Sequence, residues 1–365
     1  MTEVRRAHGQ RRAVRRVSRK RPGVASLLVR GCVLVATLWA VVDVARTPRL
    51  QPDPLTVRDG ERLLVIAPHP DDETIGAGGL IQRVLARHGS VHVVLVTAGD
   101  GNVGGVVLET GLRQPPAAKF VAYGERRVSE ARAALGRLGA SADALDLLGF
   151  PDGSLMPLLS RNWRRAQPVH STTTGASDPP YDFAVEPDIA YDGADLRDEL
   201  AQVLRAVRPT MIAVPDPLDR HPDHSAAGIF SILAIDEWIG GRWPRRQPPQ
   251  VLAYLVHWPD WPPGWDVATP DPADAMSPLA RPGTLPARPL DSATLTLTPA
   301  EIDAKRAALA EHRSQQRAMG SFLAAFVRHS EPFTALDAVE IRNIASDFER
   351  EPELQVRKVG PPKAG

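Results

Sequence analysis

Apolar positions along the chain fall into two patterns that alternate. Short continuous runs of leucine and β-branched residues, Arg62-Leu63-Leu64-Val65-Ile66, Val91–Thr97, Leu145–Leu148 and Thr210–Pro215, have the length and content of buried strands. Between them, Leu80–Arg87, Glu125–Leu138, Ala194–Val207 and Ser225–Ile239 carry helical spacing. Strand and helix in turn predict an α/β fold, a Rossmann-like parallel sheet with helices on both faces. Val251–Val256 and an edge strand at Thr294–Leu297 extend the sheet into a mixed edge, and one helix over Pro299–Phe326 closes the domain. Residues 151–195 and 241–290 have many prolines and little periodicity, so they are expected as irregular insertions.

One apolar stretch stands outside this alternation. Residues 24–45 contain only two charged side chains, Arg30 and Asp43, and are long enough for a membrane helix, which needs about 20 predominantly apolar residues. The preceding residues 1–23 are a basic head with Arg5-Arg6, Arg11-Arg12, Arg15-Arg16 and Arg19-Lys20-Arg21. This order reads as an uncleaved signal anchor with a cytoplasmic head and an extracytoplasmic catalytic domain; a cleaved signal peptide is the alternative. Residues 46–61, with three prolines, read as a linker, 62–345 as the catalytic domain and 346–365 as a tail.

Charge sharpens the division. Of 44 Lys+Arg and 43 Asp+Glu, the first thirty residues hold ten and one, which leaves 34 basic and 42 acidic residues. An acidic domain is a poor nucleic-acid surface. Hydrophobic content of 43% and charged content of 24% are those of a globular chain. The single cysteine, Cys32, excludes an intrachain disulfide.

Candidate chemistry is concentrated after two of the strands. His69, Asp71, Asp72 and Glu73 follow the first strand within five positions, and the segment Asp219-Arg220-His221-Pro222-Asp223-His224 follows the Thr210–Pro215 strand. Carboxyl ends of strands are where open α/β sheets bind ligands. His69 and Asp72, three apart on a turn stiffened by Pro68 and Pro70, can reach one ion, and the second His-Pro-Asp loop can bring a third ligand to the same crevice. Such an N/O set suits Zn²⁺, with another divalent first-row metal possible. Gly99, Gly101, Gly104 and Gly105 lack the spacing of a dinucleotide fingerprint, so they read as a flexible loop. Trp258, Trp261 and Trp265 stand beside prolines; loop packing is the expected role, and stacking on a sugar ring the alternative.

The motifs Pro68–Glu73 and His221–His224 resemble the two principal motifs of the PIG-L/LmbE-type zinc-dependent de-N-acetylases. Thr97–Gly101, Arg127–Glu130, Leu135–Gly139, Leu148–Gly153, and Lys305 with Ala308, Leu309, His312, Ser314 and Gln315 are similar to further landmarks of that family, so the resemblance covers about residues 62–330. It implies His69, Asp72 and His224 as metal ligands, Asp71 as general base, and His221 as the group that stabilises or protonates the intermediate. Asp223 is expected to orient a partner histidine or Asp71. Some members carry an oxyanion-holding tyrosine two residues before the position of His221; this chain has Asp219 there. The implied activity is removal of acetyl from an N-acetylglucosamine-type sugar in a glycan or glycolipid. The rivals are hydrolysis of another amide or ester at the same site, and a carbohydrate-binding membrane protein without activity.

Overall fold

The computed structural model describes residues 53–164, 168–240, 248–267, 272–286 and 292–350. The stretch 24–45 expected to span a membrane and the basic head lie outside the described residues. Among the described residues, no helix is long and apolar enough to cross a membrane.

The strands are β1 (Asp53–Pro54), β2 (Arg62–Ala67), β3 (Ser90–Thr97), β4 (Leu145–Phe150), β5 (Met211–Pro215), β6 (Gln250–Tyr254), β7 (Ser292–Thr296) and β8 (Ser330–Leu336). They form one sheet in the order β1-β7-β8-β6-β5-β2-β3-β4. Pairs from β6 through β4 are parallel, whereas β8 runs antiparallel between β6 and β7. From β2 the chain builds outward through β3 and β4, then crosses back to lay β5 on the other side of β2. The strand order therefore reverses between β2 and β5, where a crevice opens at the carboxyl ends.

Helices cover both faces. They are α1 (Asp72–Ala86), α2 (Val103–Thr110), α3 (Ala117–Arg137), α4 (Leu155–Ser160), α5 (Gly193–Val207), α6 (Pro222–Gly240), α7 (Pro299–Glu311), α8 (Arg313–Ala325) and α9 (Ala338–Arg350). In β2, Leu63, Val65 and Ala67 join a core with residues of α1, α3 and α7, while Leu64 and Ile66 join a second core with α5 and α6. A strand buried on both sides has no polar alternation, which is why it reads as an unbroken apolar run.

Several expectations change. The helix expected from Leu80 begins at Asp72, with Gly76, Gly78 and Gly79 inside it. Those glycines permit close packing: a Cβ on Gly76 would lie 2.3 Å from Tyr254 Cδ2, and one on Gly79 would lie 2.3 Å from Leu297 Cδ2. The glycine loop after β3 is partly helical, since α2 contains Gly104 and Gly105 and is capped by Asn102 Oδ1 accepting from Gly105 N at 2.8 Å. The single closing helix is two, divided at His312, whose φ of −75° and ψ of 60° leave helical geometry. The region 151–195 includes α4, and the residues after 346 continue α9 to Arg350. Of the linker, Asp53–Pro54 pair with β7 and Leu55 and Val57 are buried against the domain. Strand β8 was not legible as a strand, because Glu331 and Pro332 interrupt it.

Candidate metal centre

The crevice at the strand reversal is built from the loops after β2, β4, β5 and β6. After β2, Pro68 O accepts from both Thr97 N (3.0 Å) and Thr97 Oγ1 (2.9 Å), tying the loop to the end of β3. Buried Arg127, on α3, donates to Pro70 O (2.8 Å) and Gly99 O (3.0 Å). Its guanidinium also lies 3.3 Å from Asp71 Oδ2. Asp71 itself has φ 139°, a conformation few side chains adopt, and precedes α1. Its backbone N–H donates to Glu73 Oε2 at 3.0 Å. Glu73 is in turn held by Thr74 Oγ1 at 2.7 Å and faces His312 Nε2 at 3.4 Å. The loop after β5 is laced to the loop after β6 by Asp216 N to Tyr254 O and Arg220 N to His257 O.

Asp72 is the meeting point. Its Oδ2 lies 3.2 Å from His69 Nδ1 and 3.2 Å from His224 Nε2. The far nitrogens of both rings face carboxylates, His69 Nε2 toward Asp152 Oδ1 at 3.1 Å and His224 Nδ1 toward Asp219 Oδ2 at 3.5 Å. An imidazole whose outer nitrogen carries its proton toward a carboxylate presents a bare lone pair inward. With the rings neutral, two such lone pairs would oppose a carboxylate oxygen, so the cluster calls for a positive charge, either protons on the rings or a bound cation. His224 is fully buried, and among the described residues neither ring nitrogen has an aligned hydrogen-bond partner. Burial disfavours charging either ring, yet Asp152 raises the pKa of His69 well above its usual value, and Asp72 and Asp219 push His224 up to about 9. The donor set of two nitrogens and one oxygen fits a divalent cation. Two overlapping groups also have ligand atoms within 4.8 Å of one another: His69, His221 and His224, and His69, Asp152 and Asp223.

His221 is half-buried with its ring centroid 5.0 Å from those of His69 and His224. Its Nδ1 accepts from Asp223 N at 3.3 Å, which leaves the proton of the neutral ring on Nε2. Burial, then the neighbouring His69 and His224, push its pKa down to about 2. Burial pushes the Asp71 carboxyl up to about 7, against the pull of Arg127 and with the adjacent Asp72 adding to it.

Of the partners expected for Asp223, a histidine or Asp71, it is a histidine, His69, that it faces. Its carboxylate accepts from Gly153 N (2.6 Å) and Leu155 N (3.0 Å), holding the loop that leads into α4, and Oδ2 stands 3.5 Å from His69 Nε2. Asp219, at the tyrosine position of some relatives, is a bracing group. It accepts from His221 N, Val256 N and His257 N, each at 2.9 Å, while facing His224. Two site residues escaped sequence reasoning. Asp152 follows β4 in the Gly149-Phe150-Pro151-Asp152-Gly153 landmark, and its position at a strand end was the available signal. His257 follows β6, with its ring centroid 4.7 Å from that of His224; nothing in its neighbourhood marked it. Among the tryptophans, Trp261 is buried and donates to Ala280 O, so it packs the loop, whereas Trp265 is exposed.

Residues 64–235 match the PIG-L family model, GlcNAc-PI de-N-acetylase. A 1D-myo-inositol 2-acetamido-2-deoxy-alpha-D-glucopyranoside deacetylase of Tsukamurella paurometabola is 34% identical over 48% of this chain, which spans about half (55%) of that relative's length. One of the same description from Rhodococcus jostii is 29% identical over 70% of this chain and 81% of its own. The diacetylchitobiose deacetylase of Thermococcus kodakarensis is 26% identical over 48% of this chain and 50% of its own. The segment that carries both His-Pro-Asp motifs, residues 64–235, is thus similar to the PIG-L family, whose matching model is described as GlcNAc-PI de-N-acetylase.

Proposed function

We propose that the chain is a metal-dependent hydrolase that removes the N-acetyl group from an N-acetylglucosamine-type amino sugar in a glycan or glycolipid. The observation that carries this reading is the convergence of His69 Nδ1 and His224 Nε2 on Asp72 Oδ2, with a carboxylate behind each ring. His69, Asp72 and His224 would hold the ion, Zn²⁺ by choice of donors. When bound, it supplies Lewis acidity toward the acetamide carbonyl and the attacking water. Asp71, beside this set but held by Arg127, takes the proton of the water as general base. His221 offers its Nε2–H to the oxygen that becomes negative as the amide carbonyl is attacked, because Asp223 N occupies Nδ1. Asp223 fixes the loop beneath His69, and Asp219 fixes His224 and the backbone of His221.

Relatives described as acting on an acetamido-glucopyranosyl inositol and on diacetylchitobiose support a substrate of the N-acetylglucosamine class. Purified full-length protein loaded with zinc is expected to release acetate from such glycosides, and chelation to abolish release with restoration by added zinc. Release that persists unchanged at vanishing metal content would overturn the metal reading, and turnover of esters alone would overturn the amide one.

The apolar stretch 24–45 behind its basic head supports anchoring, with the catalytic domain outside the cytoplasm. Protease added to intact cells is then expected to digest the domain. Its complete protection and recovery in the cytosolic fraction would refute export.

A further inference from the structure

Beside the centre lies a cleft of about 500 Å³ whose walls include Arg220, His257, Trp258, Trp265, Met319 and Phe322. Its size is that of a small-molecule site. His257 belongs to both places. One side of its ring meets His224 and His221, with centroids 4.7 and 5.2 Å away, and it also stacks on Phe322 at 5.4 Å with 7° between planes. Trp265 approaches Phe322 edge-on at 6.5 Å and is 44% exposed, so a large aromatic surface faces the opening. Helix α8 leaves helical geometry at Met319, where it borders the cleft. Arg220 in the wall lies over the Trp258 ring at 4.8 Å, with its charge set against an aromatic face.

We propose that this cleft is the subsite for an apolar aglycone, an aryl or alkyl group joined to the acetamido sugar whose amide is cleaved at the neighbouring centre. The inference rests on the deacetylase reading. The anomeric carbon of such a sugar is bonded directly to the carbon that bears the acetamide. With the acetamide at His69, Asp72 and His224, whatever is attached at the anomeric position is therefore only a few bonds away, at the wall His257 shares. That wall presents ring faces and a thioether, with few groups able to replace lost hydrogen bonds. A hydroxyl-rich aglycone would be desolvated there with little compensation, whereas an aryl or alkyl group gains from burial and ring contact.

The test compares acetate release by the zinc-loaded full chain from methyl and phenyl β-N-acetylglucosaminides and from diacetylchitobiose. In parallel, titration calorimetry reports binding of phenyl β-glucoside, which has no acetamide. The expected result is a KM about 10-fold or more lower for the phenyl than for the methyl glycoside, on the scale of burying one aromatic ring. Trp265→Ala should erase most of that preference and the binding of phenyl β-glucoside, and Trp265→Phe should recover much of both. Equal KM values for phenyl and methyl glycosides, a preference that survives Trp265→Ala, or a Trp265-dependent preference for diacetylchitobiose would overturn the aglycone assignment while leaving the deacetylase reading intact. If no N-acetylated glycoside is turned over but phenyl β-glucoside still binds in a Trp265-dependent way, the deacetylase reading fails and the apolar subsite stands. Absence of that binding overturns the subsite.

Discussion

Asp71 and Asp72 are consecutive carboxylates with different surroundings, and the difference assigns them different work. Asp72 faces two imidazole nitrogens at 3.2 Å each, whereas the basic group beside Asp71 is Arg127. Asp71→Asn is therefore expected to keep its zinc while turnover falls about 10²–10⁴-fold, the usual cost of losing a general base, with little change in KM. Asp72→Ala and His224→Ala should lose zinc and activity together. Metal content by atomic absorption beside acetate release separates the two classes; zinc loss in Asp71→Asn, or near-stoichiometric zinc in Asp72→Ala, would reverse the assignment. Asp219 is a third case, since it braces His224 from behind. Asp219→Asn should weaken zinc affinity about 10–100-fold, as outer carboxylates of metal-bound histidines do. Unchanged affinity in a chelator competition would make Asp219 a support for the Val256–His257 backbone alone. The residues around the two His-Pro-Asp loops were legible because each loop is contiguous in sequence and ends a readable strand. Asp152 and His257 were not, because only the placement of β4 and β6 brings their loops to the same edge.

At the scale of elements, α1 shows why the strands were easier to read than the helices. Leu63 to Ile66 announce a buried strand by an unbroken apolar run, and the strand ends one residue beyond it, at Ala67. The first two turns of α1 instead hold Gly76, Gly78 and Gly79, which by propensity argue against a helix, and tertiary packing overrides them. Gly76 is required because the ring of Tyr254 occupies the space of its Cβ, and Tyr254 is fixed by its own hydroxyl donating to Ile66 O at 2.7 Å. Gly136, exposed on α3, has nothing within 4 Å of the Cβ it lacks. The same substitution should thus have opposite signs at the two places. Gly136→Ala should stabilise by about 0.5–1 kcal/mol through helix propensity, whereas Gly76→Ala should destabilise by about 1–3 kcal/mol through overpacking. Urea unfolding of both variants checks this, and a stabilised Gly76→Ala would mean that the ring of Tyr254 moves aside at no cost. The break between α7 and α8 was hidden for a related reason. His312 is fully buried where it faces Glu73, and a contact between residues so far apart leaves no trace in local periodicity.

For the whole molecule, the two cores on either side of the sheet carry different polar loads. The core beneath the centre buries Lys305 against Glu331 at 2.6 Å, and Glu331 also accepts from Gly79 N and Leu80 N, so that charge is paired and its acceptors are filled. The opposite side, under α5, buries Glu199, whose two carboxylate oxygens make no hydrogen bond within the described residues. Burial, with Glu186 and Asp195 adding, pushes the Glu199 carboxyl up to about 8 from an ordinary value of 4.5. Below the unfolded value both states hold the proton, so Glu199 costs nothing on this account. As pH rises from there toward 8, the unfolded chain releases a proton that the folded chain keeps, and stability falls across that window. Glu199→Gln keeps the shape and removes the titration. Any penalty from burying an amide is the same at every pH, so it cancels when the difference between variant and parent is compared at two pH values. The melting temperature of Glu199→Gln relative to the parent should therefore rise by at least about 2 °C between pH 5 and pH 8, the shift expected for roughly 1 kcal/mol in a domain of this size. Melting curves whose separation does not change between the two pH values would show that the Glu199 carboxyl is ionised in the folded protein as readily as in the unfolded chain.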